Sequence, residues 1–320
     1  MRILKVLGIV LIIVLFMVIL FLIASMINHR IQLKKETSAY PPPGSIVNVN
    51  DKKLHIFIAG EGDITLVFMA GHGTSSPILD FKPLWMRMTD DYRIAVVEKS
   101  GYGWSEPSNS PRDIDTILEE TREALNLSGE KGPYILLPHS MSGLEAIYWA
   151  QKYPDEVTAI IGLDPTTPEA VEILPIPPGI QLNLIYLITR IGLSRLMPEA
   201  DLSENLPLMK SNDLTEEDKN QYLASFFRSS LTKDMLREIT NLNNNAQLVA
   251  TNGIPANTPM YFFISEEQEK QVSGWDKALT EYLSKLVVSR FMRLDTGHYV
   301  HHEKADIISE AIKAFLKEIR

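Results

Sequence analysis

The sequence predicts an α/β protein, in which a mostly parallel sheet is covered by helices on both faces, interrupted by a helical insert and preceded by one membrane-spanning helix. Three observations carry that expectation. From residue 45 onward, short apolar runs alternate with helical patterns, as they do where crossover helices connect parallel strands. Runs such as Ile64–Met69 and Ile94–Val97 are apolar without alternation, the signature of strands buried on both faces. Finally, Val6–Ile27 is a run of 22 residues without a charge, and a helix rising ~1.5 Å per residue crosses a ~30 Å hydrocarbon core at that length.

Taken in order, residues 1–30 read as an uncleaved anchor. A signal peptide would have an apolar region of about 7 to 15 residues ending in a small-x-small site, which Ala24-Ser25-Met26 fits poorly. Arg2 and Lys5 precede the run, whereas Arg30, Lys34 and Lys35 follow it, so the positive-inside bias nearly cancels. The large domain lies C-terminal to this single pass and is expected outside the cytoplasm. Residues 31–44 read as a tether, charged at first and then Pro41-Pro42-Pro43-Gly44, which favours extended chain over helix.

Residues 45–320 read as one folded domain. Ile46–Val49 and Leu54–Ile58, joined at Asn50-Asp51, alternate as a hairpin does. Later strands are expected at Ile64–Met69, Ile94–Val97, the run from Tyr134, Val157–Leu163, Met260–Ile264 and Val287–Leu294. Asp113–Leu127 places Ile114, Ile117, Leu118, Ala124 and Leu125 on one helical face. The last helix, about 304–318, turns Ile307, Ile308, Ala311, Ile312, Phe315 and Leu316 inward. Residues from about 165 to 258 break the alternation with prolines, then helical patterns near Ile180–Met197, Leu214–Ser229 and Leu231–Leu242. The first of these is strongly apolar (Leu182, Leu184, Ile185, Leu187, Ile188, Ile191). Such a face either packs on the core or lines a pocket for an acyl chain.

A formal net charge of -9 excludes a general nucleic-acid binder, which would show a basic face. The absence of cysteine excludes disulfides, thiolate metal sites and a cysteine nucleophile.

The chemistry centres on Tyr134-Ile-Leu-Leu-Pro-His-Ser-Met-Ser-Gly143. Four apolar or aromatic residues read as a buried strand, the dozen residues after Gly143 as a packed helix, and Ser140 falls between them. A serine on such a turn needs small neighbours, since strand and helix backbones nearly touch there; the G-x-S-x-G elbow is the usual form. Here Pro138 and Ser142 occupy the flanking positions, with Gly143 next. The alternative role for Ser140 is a helix N-cap. At these residues the chain resembles the α/β-hydrolase superfamily over roughly residues 45–320, and the helical insert resembles that family's cap.

The resemblance implies a nucleophile, a base and an acid. A serine hydroxyl needs a base to remove its proton, and of seven histidines His298, in Thr296-Gly297-His298-Tyr299, stands where the family places it. His301 and His302 follow; metal binding is the lesser reading of this cluster, because no carboxylate or cysteine pattern accompanies it. For the acid, many relatives use a G-x-x-D turn after the seventh strand, but here that turn is Ser265-Glu266-Glu267-Gln268. Haloalkane dehalogenases take it from the end of the sixth strand, and Asp164 stands there, in Gly162-Leu163-Asp164-Pro165. Asp164 is therefore the expected acid, with Glu266 or Glu267 as alternatives.

The oxyanion donors would be the amides of Met141 and Thr74, the latter in a Gly71-His72-Gly73-Thr74 segment similar to the family's H-G-x. Ser100-Gly101-Tyr102-Gly103-Trp104-Ser105 resembles the family's G-x-G-x-S loop and is expected to be structural. The implied function is a membrane-tethered serine hydrolase acting on an ester or related acyl compound, with no cofactor and no metal. A proline-iminopeptidase-like aminopeptidase, for which Glu199, Asp201 and Glu204 of the cap could hold the substrate amine, and a non-catalytic binding module are the alternatives.

Overall fold

The computed structural model describes residues 2–198, 201–202 and 206–319. One eight-stranded sheet runs in the order β1-β2-β4-β3-β5-β6-β7-β8, comprising β1 Ser45–Val49, β2 Lys52–Ala59, β3 Thr65–Met69, β4 Arg93–Val97, β5 Tyr134–Pro138, β6 Val157–Leu163, β7 Met260–Ser265 and β8 Ser289–Leu294. The β1–β2 and β2–β4 pairs are antiparallel and all the others parallel. The longer helices are α1 Arg2–Ala39, α2 Ile114–Leu127, α3 Ser142–Lys152, α4 Gly179–Arg190, α5 Glu216–Ser229, α6 Lys233–Thr251, α7 Trp275–Leu283 and α8 Ala305–Glu318.

Strands β3, β5 and β7 are buried at every residue, because successive side chains point to opposite faces and both faces are covered. On one face Leu118, Trp149, Trp275 and Leu279 pack over Val67, Leu136, Ile160 and Phe262. On the other, Phe81, Leu84, Ile308 and Phe315 pack over Phe68, Val96, Ile135 and Phe263. β8 is an edge strand and starts two residues later than the apolar pattern suggests, since Val287 is exposed. In α8, Ile307 faces solvent rather than the core, while Ile308, Ile312, Phe315 and Leu316 are buried.

Two expectations about the periphery are corrected. The stretch 31–39, read as part of an extended tether, continues α1 as helix. It holds no proline or glycine, and only Pro41 drives the preceding residue out of helical geometry. Glu36 also anchors it, accepting two hydrogen bonds from Arg195, at 2.6 and 2.7 Å. The apolar face of α4 is not covered as a core face would be: Ile180, Leu184, Ile185 and Leu187 are exposed, and Leu182, Ile188 and Ile191 are only half-buried. The other cap helices seat on the body through Leu206, Leu208, Leu214 and Tyr222, which pack on Ile78 and Leu79.

Candidate active site

Ser140 lies in the turn between β5 and α3 with φ +54°. A left-handed conformation at a non-glycine residue costs of order 1–3 kcal/mol and persists only where its surroundings over-determine it. Here they do. The Ser140 carbonyl accepts from Gly143 N at 2.9 Å and from Thr166 N at 2.8 Å. The Ser142 hydroxyl reaches the carbonyls of Met69 (2.6 Å) and His139 (2.8 Å), tying the turn to the end of β3. A Cβ on Gly143 would stand 2.4 Å from Thr166 O, so the close approach of helix and loop falls on Gly143, one residue later than in G-x-S-x-G. The Ser140 hydroxyl caps no amide of α3, whose N-cap is Met141. It is half-buried and, among the described residues, makes no hydrogen bond, His298 included; such contacts commonly tighten only when substrate binds.

Asp164 ends β6 and is likewise held at positive φ, +49°. Its amide donates to Phe263 O at 2.8 Å. The carboxylate is wholly buried; Oδ1 accepts from Ser265 N (3.0 Å) and from Trp275 Nε1 (2.8 Å), which leaves Oδ2 for His298 Nδ1 at 2.6 Å. The other two acids point elsewhere. Glu266 is exposed and Glu267 pairs with Lys270 at 2.5 Å, both in a short helix, Glu266–Gln271, that Ser265 caps. That segment, read from sequence as a turn, is helical, its first turn capped by the Ser265 hydroxyl, which accepts from Gln268 N.

The Gly71–Thr74 turn reaches the same place: a Cβ on Gly71 would lie 2.7 Å from Ser140 Cβ. Thr74 is buried, and Met141 stands at the N-terminal mouth of α3, where the first helical amides lack intrahelical acceptors. The 100–105 loop is a tied turn, with Trp104 N donating to Glu98 Oε2 and the Ser105 hydroxyl to Glu98 O, each at 2.6 Å. Together with Tyr186, Arg190 and Arg228 the loop bounds a cavity of about 490 Å³ that does not include Ser140 or His298 in its lining. Of the cap carboxylates Glu199, Asp201 and Glu204, only Asp201 lies among the described residues.

Several buried groups escape the sequence reading. His139 is buried beside Ser140, with its ring 4.7 Å from that of His298, and its Nε2 donates to the His298 carbonyl at 3.2 Å. Burial, then the neighbouring His298 and His301, push its imidazole well below the ordinary value. Asp80, buried under the cap, faces His302 Nε2 at 3.1 Å, His301 Nε2 at 3.4 Å and the Tyr222 hydroxyl at 3.4 Å. The carboxylate that faces His301 and His302 is thus not the adjacent Glu303, which accepts from the Thr296 hydroxyl, but one supplied from 221 residues away. These three side chains are a group that could hold a cation, but the 3.1 Å contact is an ordinary hydrogen bond.

A second buried network joins Lys99 to Glu145 (2.7 Å) and Glu238 (3.5 Å), and Arg112 to Glu238 (3.2 Å) and Glu120 (2.5 Å). Although burial opposes it, Glu145 and Glu238 hold the Lys99 ammonium above its ordinary pKa. Adjacency to Ser140 was the only sequence signal for His139, and nothing local marks Asp80 or Glu238.

Residues 77–305 match the family profile described as the alpha/beta hydrolase fold. The chain is similar along nearly all of its length to the uncharacterized protein YbdG of Bacillus subtilis, with 34% identity covering 99% of this chain and 98% of that protein. A shorter similarity, 26% identity covering 37% of this chain and 41% of the relative, is to 2-(acetamidomethylene)succinate hydrolase of Mesorhizobium japonicum. Among solved structures, a haloalkane dehalogenase loop variant from Bradyrhizobium elkanii superposes with a TM-score of 0.62, at 14% identity over 86% of this chain and 96% of that one. With the sheet order, the strained serine between β5 and α3 and a profile match spanning the body and its cap, the chain belongs to the alpha/beta hydrolase family.

Proposed function

We propose that the protein is a membrane-tethered serine hydrolase that cleaves an ester or related acyl substrate, with Ser140 as nucleophile, His298 as base and Asp164 as the orienting acid. The observation that carries this reading is the 2.6 Å contact between Asp164 Oδ2 and His298 Nδ1, at the edge of the sheet where Ser140 is held at positive φ. Oδ1 is engaged by two other donors, so the carboxylate cannot turn away. A fixed acceptor on Nδ1 selects the tautomer with a bare Nε2, the form needed to take the serine proton. Ser140 Oγ then attacks the carbonyl carbon while its proton passes to His298 Nε2. The Met141 and Thr74 amides receive the developing oxyanion. The imidazolium, stabilised by Asp164, returns the proton to the departing alkoxide, and a water repeats the sequence on the acyl-serine.

The tether is α1. Among the described residues it is the one helix long and apolar enough to cross a membrane, and its window of highest hydropathy has no residue buried in the protein. The acyl class is tested by hydrolysis of p-nitrophenyl butyrate. Ser140→Ala and His298→Ala should each lower kcat by at least about 10³-fold, and the double variant by little more, because nucleophile and base act as a unit. Wild-type turnover in Ser140→Ala would exclude the reading.

A further inference from the structure

Between Glu172 and Arg190 lie 17 consecutive residues without a charge, Ile173 to Thr189, covering the approach to α4 and the helix itself. In a cap that must be soluble such a run should be tucked away; here Ile180 is 83% exposed, Leu184 56%, Leu187 52% and, just beyond, Leu196 61%. Ile180, Leu184 and Leu187 recur at helical i, i+4, i+7 spacing and make one continuous stripe. An exposed apolar face of this extent marks a contact surface.

Its position says what it contacts. The last turn of the uncharged run of α1 is fastened to the end of α4, with the Ser25 hydroxyl donating to Ile191 O at 2.8 Å. One turn later, His29 packs so closely on Gly192 that a Cβ there would stand 2.4 Å from His29 Cβ. Arg195 donates to His29 Nδ1 at 2.9 Å as well as to Glu36. The corner that ends α4 is therefore fixed at the point where α1 leaves its membrane-length apolar stretch. The exposed stripe thus ends beside the point where the apolar stretch of α1 ends.

We propose that the face of α4, with the proline-rich approach 173–178, is a second membrane-contacting surface that lies in the interface of the bilayer α1 crosses and turns the cap toward the lipid. This rests on the reading of α1 as a span. It would give a substrate dissolved in the membrane a short path to the cap. An apolar helix face seated at the headgroup–acyl boundary is a recognised mode of interfacial binding.

The chain has no cysteine, so single-cysteine labelling of the full-length protein in phosphatidylglycerol/phosphatidylcholine vesicles tests the proposal directly. An environment-sensitive fluorophore is placed at Leu184→Cys, at Asn126→Cys on the opposite edge of the sheet, and at Leu15→Cys within the span. The Leu184→Cys probe should be shielded from aqueous iodide and quenched about twofold by lipids carrying a shallow nitroxide, while the Asn126→Cys probe responds only to iodide. Iodide access at Leu184→Cys equal to that at Asn126→Cys overturns the proposal. So does shielding without nitroxide quenching, which would mean that a second copy of the chain covers the face. The Leu15→Cys probe separates the two readings: if it is quenched by lipid while Leu184→Cys is not, the span stands and the docking surface fails.

Discussion

At the scale of single residues, the two oxygens of Asp164 are divided between different partners. Ser265 N and Trp275 Nε1 fill Oδ1, and His298 Nδ1 takes Oδ2. Asp164→Asn keeps the shape but presents either an amide or a weaker acceptor to the imidazole, and loss of the orienting acid can cost ~10⁴ in kcat. Asp164→Asn should approach that loss, while Glu266→Gln and Glu267→Gln stay within about tenfold of the parent; steady-state kinetics on one ester decide among the three.

The histidines behind the site make a separate prediction about pH. Burial lowers the His301 imidazole to about 4 even though Asp80 opposes it, and also pushes His139 well below its ordinary value. The unfolded chain therefore binds more protons than the native one between pH 6.5 and about 4, and stability must fall as pH falls through that window. His301 and His302 in turn hold the Asp80 carboxyl far below the ordinary range against the cost of burial, which extends the loss to lower pH. Thermal melts from pH 7 to pH 4 should show this decline, and His301→Gln should flatten it; an unchanged slope in the variant would assign the pH dependence to other groups.

At the scale of elements, the turn from β5 to α3 is where sequence reasoning came closest and where its details moved. The apolar run of β5, Ser140 and the packed helix were legible because burial on both faces of a parallel strand leaves an uninterrupted pattern. What could not be read was how the turn manages without its flanking glycines, since the answer lies in tertiary contacts: Ser142 bonded to Met69 O, and Gly143 against Thr166. Gly143→Ala should therefore destabilise by about 1–3 kcal/mol or more through overpacking. Ser142→Ala removes one buried donor shared by two carbonyls and should cost about 1 kcal/mol. Melting temperatures in that order, with Ser140 still reactive in Ser142→Ala, would match this account of the turn; the reverse order would not. The exposed stripe of α4 was misjudged for a related reason, because periodicity locates an apolar face without saying what covers it.

At the scale of the whole molecule, the eight strands and their covering helices follow from the alternation of patterns in the chain, and sheet topology brings Ser140, Asp164 and His298 to one edge. The groups invisible from sequence, namely Asp80 with His301 and His302 and the Lys99–Glu238 network, are assembled by chain segments more than 100 residues apart, where no local pattern can announce them. The central claim, that this assembly activates Ser140 as a nucleophile, is tested most directly by reacting the full-length protein with a fluorophosphonate and locating the adduct by mass spectrometry. One adduct on Ser140, lost in Ser140→Ala and strongly slowed in His298→Ala, is the expected result. No adduct on the folded wild-type protein, or an adduct on Ser142 instead, would contradict it.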